Sequence, residues 1–227
     1  MTMDTAEYID ALAARATPGR AEQSAAYHKA PRRYLGVANP EINDLVRDWR
    51  AGLDVPGRVA LADALWRSDI HEARIAAAKL LAQARIRPDE DVWALIRGWV
   101  PEFDAWAIAD HACDAGQRRL LADPSRLDTL EQWTTAPDKW TRRAALVMTL
   151  PWAKMNNPGT DDLARRERIL GWAASYVPDR DWFIQKAIAW WLRDLSKRDA
   201  PRVRAFLDAQ GEAMKPFARK DAARLLP

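Results

Sequence analysis

Trp106 and Asp110 set the chemical question. They sit four residues apart in Phe103-Asp104-Ala105-Trp106-Ala107-Ile108-Ala109-Asp110-His111-Ala112-Cys113-Asp114. The stretch reads as a helix, and that spacing puts both side chains on one face, about 5–6 Å apart at Cβ. A large π surface beside a single carboxylate is a poor way to build a core. It suits a ligand that is flat and cationic, or that becomes cationic as it reacts, because ring face and carboxylate both favour positive charge. We expect this pairing to be peculiar to one helix of the chain. Arg143, Trp190 and Tyr27 are of types that would complement it: a guanidinium, a second indole and an aromatic ring with a polar tip.

The elements that must position these residues are helical. Strand-forming residues are scarce in runs, and no alternating segment is long enough to read as a strand. Amphipathic or Pro- and Gly-punctuated segments predict helices over 2–15, 18–31, 41–53, 56–67, 71–85, 89–99, 103–121, 126–134, 139–150, 161–176, 182–197, 201–210 and 216–226. Asn39 reads as the N-cap and Pro40 as the first residue of the third helix, after a connector in which Gly36 supplies backbone freedom. A longer loop is expected near 155–159.

Helices of similar composition recur. Arg74-Ile75-Ala76-Ala77-Ala78, Arg143-Ala144-Ala145-Leu146, Lys186-Ala187-Ile188-Ala189 and Lys220-Asp221-Ala222-Ala223 each set small apolar residues behind a basic one, the basic positions lying 69, 43 and 34 residues apart. Small side chains let paired helices approach closely, and this period is the mark of a HEAT-like α-solenoid. The expected fold is therefore all-α, a single domain over 1–227 of antiparallel helix pairs curved around a concave basic groove. Trp106, Asp110, Arg143 and Trp190 would project from successive inner helices into that groove, with Tyr27 closing one end.

Composition narrows the class further. A chain that is 48% hydrophobic and 30% charged is too apolar for disorder. Net charge is only +3, but basic residues gather at Arg15, Arg20, Lys29, Arg32 and Arg33, and again at Arg193, Lys197, Arg198, Arg202 and Arg204, as a polyanion-binding protein would arrange them. The single Cys113 excludes an intrachain disulfide and a multi-cysteine zinc site, and reads as a small buried residue. His28, His71 and His111 are dispersed and read as surface or cap positions rather than ligands. No metal and no cofactor are expected, since there is no glycine-rich phosphate loop and no His-Glu-x-x-His. No apolar run approaches a membrane span, and the N-terminus lacks the pattern of a secretory signal. A cytoplasmic protein is expected.

Several segments together resemble the HEAT-like repeat DNA alkylation-repair glycosylases, the AlkD-type family. They are Tyr27 with Tyr34-Leu35-Gly36-Val37 and Pro40; Leu65-Trp66 leading to Glu72; Trp106-x-x-x-Asp110; Trp140-Thr141-Arg142-Arg143-Ala144-Ala145; Phe183-Ile184-Gln185-Lys186-Ala187-Ile188-Ala189-Trp190 with Leu192-Arg193 and Lys197; and Arg219-Lys220-Asp221-Ala222. They keep family order and span nearly the whole chain. The resemblance implies that Trp106 and Trp190 wall the deoxyribose of a lesion, that Asp110 is the catalytic carboxylate, and that Arg143 holds DNA backbone near the lesion. It also implies that Tyr27 sits at the cleft and that Arg193 and Lys197 meet phosphates. The implied partner is double-stranded DNA with alkylated bases, bound by a monomer that associates with the nucleoid when on DNA. Ala107 and Ala109 stand where family members commonly carry larger or polar residues, Trp191 adds bulk beside Trp190, and the resemblance assigns no role to His111. Two other readings stay open: a non-catalytic solenoid that recognises distorted or branched DNA, and a protein-interaction scaffold.

Overall fold

The computed structural model describes residues 4–226, all-helical and divided after Ala122 into two compact units. The first holds α1 (Thr5–Ala13), α2 (Arg20–His28), α3 (Asn39–Gly52), α4 (Val55–Arg67), α5 (His71–Leu81), α6 (Glu90–Trp99) and α7 (Trp106–Ala122). Helix α5 is its centre. Ala73, Ala76, Ala77, Ala78, Leu80 and Leu81 are fully buried, and a helix that is apolar nearly all round must be covered on every side. It is covered by α3 and α7 beside it in one layer and by α4 from the other, with α6 also against α4 and α7. Helices α4 and α5, joined by only residues 68–70 and packed along each other, form an antiparallel hairpin.

The second unit repeats the plan with α8 (Leu127–Trp133), α9 (Lys139–Val147), α10 (Leu150–Lys154), α11 (Thr160–Ser175), α12 (Trp182–Ser196), α13 (Ala200–Gln210) and α14 (Pro216–Ala223). Helix α12 lies between α9 and α14 and buries Ile184, Ala187, Ile188, Trp191, Leu192 and Leu195. Ion pairs stitch each layer. Arg168 of α11 reaches Asp128 and Glu131 of α8, and Arg202 of α13 grips Glu167 of α11 with two bonds at 2.8 Å. In the other layer Lys139 pairs with Asp181 at 3.2 Å, and Arg193 and Lys186 both meet Asp221. Aspartates cap the helices as their sequence positions invite: Asp54, Asp138, Asp181 and Asp199 each accept a backbone N–H of the first turn of α4, α9, α12 and α13.

Several helices are shorter than expected, among them α2 (Arg20–His28 against 18–31) and α5 (His71–Leu81 against 71–85), and three boundaries have a local physical reason. Helix α3 begins at Asn39, so Ala38 occupies the cap position without a side-chain bond; Pro40 has no N–H to satisfy, which lowers the demand for a capping side chain. Helix α7 begins at Trp106 rather than 103, because Phe103 and Ala105 turn into the core. Glu102, just ahead of them, accepts the indole N–H of Trp66 at 2.8 Å. The segment 150–154 forms a separate helix, α10, where a single helix over 139–150 is expected. Pro151 stands in its first turn, where a proline opens a helix without loss of a backbone hydrogen bond. The expected loop at 155–159 is present. Trp49, Trp66, Trp93 and Trp99 are buried in the core, and Trp133 is half-buried. Cys113 is fully buried.

Candidate active site

Because Trp106 is the first residue of α7 and Asp110 lies one turn on, both stand on one face at the start of that helix, half-buried. The turn before them is pinned from outside. The Arg32 side chain, 2% exposed, binds Asp104 and lies 3.4 Å from Asp69. Asp69 also meets Arg74 at 3.3 Å, and Arg74 meets Glu102 at 3.2 Å. The stacked rings of Trp66 and Trp99, 4.3 Å apart, form the floor beneath. The entry to α7 is thus set by two arginines between three carboxylates rather than by a side-chain cap.

Tyr27 and His28, at the end of α2, reach the same place. The Tyr27 ring, 70% exposed, meets the Trp106 indole edge-on at 6.1 Å, and the His28 ring lies 5.5 Å from it. Behind them His28 packs on His71 at 4.5 Å, and Tyr34 on His71 at 4.7 Å. The histidines were expected to be dispersed surface or cap residues. His28 and His71 do fall at helix ends, but the α2–α3 connector folds back on the start of α5 and brings them together, and His71 is 4% exposed. Burial, reinforced by the charges of His28, Arg32 and His111, lowers His71 to about 3. Burial and the Lys79 ammonium lower His111 to about 4, and burial lowers His28 against the pull of Glu72. At neutral pH these imidazoles are uncharged, so the His28 and His71 rings behind Trp106 form an aromatic rather than a cationic wall.

The connector that carries Tyr34 is held by Glu72. Its buried carboxylate accepts the N–H groups of Leu35, Gly36 and Val37 at 2.9, 2.8 and 3.3 Å. Gly36 is required here: its φ is +78°, and a Cβ would lie 2.7 Å from the Ala21 nitrogen. In the sequence Glu72 stands out only as the end of a resembling segment. Its role is visible once three backbone donors are seen to converge on it.

The remaining candidates belong to the second unit. Arg143 on α9 is buried, its guanidinium 5.8 Å from the Trp140 ring. Trp190 on α12 is half-buried, while its neighbour Trp191 is fully so. Arg193 donates to both oxygens of Asp221 at 2.8 and 2.7 Å. Lys197 is exposed, 3.9 Å from Asp194. The basic residues that count as a series in the chain are therefore partly spent on internal carboxylates: Arg15 on Glu41, Arg32 on Asp104, Arg193 on Asp221 and Arg202 on Glu167.

The Trp-x-x-x-Asp spacing is not peculiar to α7, contrary to expectation. Trp190 and Asp194 repeat it on α12, and the signal was open to inspection in the sequence. A cavity of about 380 Å³ lies at the α13–α14 turn, lined by Gly211, Met214, Arg219 and Lys220 among others, and none of the candidate residues lines it. Among the described residues, no three His, Cys, Asp or Glu side chains gather as a metal site requires, and no helix is long and apolar enough to cross a membrane.

Comparison with known proteins adds to this geometry. A family model described as DNA alkylation repair enzyme matches residues 8–226. Among solved structures, a predicted DNA alkylation repair enzyme from Enterococcus faecalis is similar over 93% of this chain and 97% of its own, at 20% identity and a TM-score of 0.78. AlkD2 from Streptococcus mutans is similar over 83% of this chain and 90% of its own, at 19% identity and a TM-score of 0.61. At these identities the likeness is one of fold. A comparison with curated proteins yields no match.

Proposed function

Since the chain belongs to the family of DNA alkylation repair enzymes, we propose that it is a glycosylase that releases cationic N3- or N7-alkylated purines from duplex DNA. The observation that carries this reading is the half-buried corner of Trp106 and Asp110, walled by Tyr27 and neutral imidazoles.

The mechanism follows from charge. Alkylation at N3 or N7 makes the purine cationic and already a good leaving group. As the N-glycosidic bond lengthens, its electron pair leaves with the base and positive charge moves onto the sugar. A carboxylate fixed against that charge stabilises the transition state more than the ground state. The Trp106 face adds about 0.5–2 kcal/mol through its quadrupole. Asp110 also orients the water that adds to C1′, closing the hydrolysis. Trp190 is assigned as a second indole against DNA, Arg143 as a backbone contact near the lesion, and Arg193 and Lys197 as phosphate contacts that give salt-dependent, sequence-independent affinity. The reading takes 1–227 as one functional domain, acting as a cytoplasmic monomer without cofactor.

A non-catalytic binder of distorted DNA is disfavoured by Asp110 itself, since a carboxylate among phosphates weakens simple binding. The test is to incubate purified protein with methylated duplex DNA and to analyse the released bases chromatographically. Free 7-methylguanine and 3-methyladenine are expected. Salt-sensitive binding with no base released would instead support the binder and sink the glycosylase reading.

A further inference from the structure

The two Trp-x-x-x-Asp corners differ in what stands beside the indole. At Trp106 the neighbours are the rings of Tyr27 and His28. At Trp190 the neighbour is a cation: the ammonium of Lys154, the last residue of α10, lies 5.7 Å from the ring centroid and 3.6 Å from Asp194 Oδ2. A second ammonium, Lys197, lies 3.9 Å from Asp194 Oδ1. Arg198 donates to the Lys154 carbonyl at 3.1 Å, tying the end of α10 to the end of α12. Asp194 is buried, whereas the Lys154 and Lys197 side chains are 49% and 50% exposed.

This arrangement decides what the α12 corner can take. Its π face and its carboxylate already hold a cation of the chain itself, so a second cation would meet net repulsion. Two exposed ammoniums against one buried carboxylate leave the surface positive, and the buried carboxylate fixes where they stand without desolvating them. A carboxylate that orders two lysines lowers the entropy lost when they meet an anion. We propose that Lys154 and Lys197, held by Asp194, form a phosphate-binding site for DNA backbone, with Trp190 packing against the adjoining sugar. Trp190 and Lys154 then grip the strand through its sugar and its phosphate. The inference rests on the DNA reading above and deepens it by adding Lys154 as a contact.

The test is the salt dependence of binding to an unmodified, labelled duplex, followed by fluorescence anisotropy across a potassium chloride series. Lys154→Met is expected to weaken binding several-fold and to reduce the slope of log K against log salt by about 0.9, the value for one lost phosphate contact. Lys154→Arg should keep the slope. Lys154→Met combined with Asp194→Asn, which strands no buried carboxylate, should show the lowered slope too, so a folding defect of the single variant does not decide the matter. A wild-type slope in the Met variants overturns the inference and leaves the glycosylase reading standing. Absence of duplex binding by the unaltered protein overturns both.

Discussion

The Tyr27 ring meets the Trp106 indole edge-on, 6.1 Å between centroids and 84° between planes. A residue as exposed as Tyr27 contributes little to a core, so this contact fixes the orientation of the indole rather than the stability of the unit. An edge-to-face pair contributes about 0.5–1.5 kcal/mol beyond area burial. Tyr27→Ala is therefore expected to lower kcat/KM for 7-methylguanine release by roughly two- to tenfold with little change in melting temperature, on that scale of energy. Tyr27→Phe, which keeps the ring, should restore most of it. Equal losses in both variants would move the role from the ring to the hydroxyl.

Asp110→Asn keeps the volume and removes the charge. If the carboxylate steadies the sugar cation, release of 7-methylguanine from methylated duplex should fall by about 10²–10³, the usual cost of removing one transition-state electrostatic partner. Duplex affinity should hold or rise, because a negative charge has left a DNA-facing corner. Undiminished release by this variant would remove Asp110 from the mechanism.

The helical fold and its layers were legible because Ala-rich segments behind a basic residue recur, and such a pattern has few ways to be buried. The Trp106–Asp110 pair was legible because four residues of helix is a local geometry. What escaped was non-local. Nothing in the spacing of His28, Tyr34 and His71 announces that the connector folds back so that their rings touch. Nor does a run of arginines reveal which carboxylates it will meet, as Arg32 does at Asp104 and Arg193 at Asp221. The Trp190–Asp194 spacing is different: like Trp106–Asp110 it is local and stands in the sequence as a second Trp-x-x-x-Asp.

The buried imidazoles make stability depend on pH in a definite direction. His71 titrates near 3 and His111 near 4 in the folded protein, against an ordinary value of 6.5. Below pH 6.5 the unfolded chain takes up protons that the folded chain refuses. Stability is thus full above that pH, falls as the pH drops, and has lost both contributions once it passes about 3. Each histidine adds up to about 1.4 kcal/mol per pH unit within its window. Urea midpoints taken between pH 7 and pH 4.5 should fall steadily, and His71→Gln should flatten the fall. An unchanged gradient in that variant would contradict the assignment of His71.

Gly36 and Glu72 make a second, independent stability test. Glu72→Gln exchanges one carboxylate oxygen for an amide that points donors at donors, and leaving a buried N–H unmet costs about 1–3 kcal/mol. Gly36→Ala puts a methyl at φ +78° against the Ala21 backbone, and it should cost about as much, since a strained backbone position is worth about 1–3 kcal/mol. Both should lower the urea midpoint of the first unit. Because Tyr34 and α2 ride on this connector, both should also lower kcat for base release under conditions where the protein remains folded. Loss of stability with kcat intact would limit the connector to a structural role.

Arg193 presents the sharpest conflict between sequence and structure. The family resemblance gives it a phosphate, yet its guanidinium donates to both oxygens of Asp221, which Lys186 also approaches at 3.4 Å. Burial alone would raise the Asp221 carboxyl, but the bonds and charge of Arg193 and Lys186 outweigh it and the net shift is downward. To meet a phosphate, Arg193 must share or leave that carboxylate. Asp221→Asn therefore separates two cases. If Arg193 contacts DNA, loss of the competing charge should tighten duplex binding at low salt by up to about fivefold, the equivalent of a roughly 1 kcal/mol surface ion pair, and the gain should shrink as salt rises. If the pair only joins α12 to α14, the variant should melt earlier with its DNA affinity and salt slope unmoved. Anisotropy titrations at two salt concentrations, read beside a thermal melt, distinguish these outcomes.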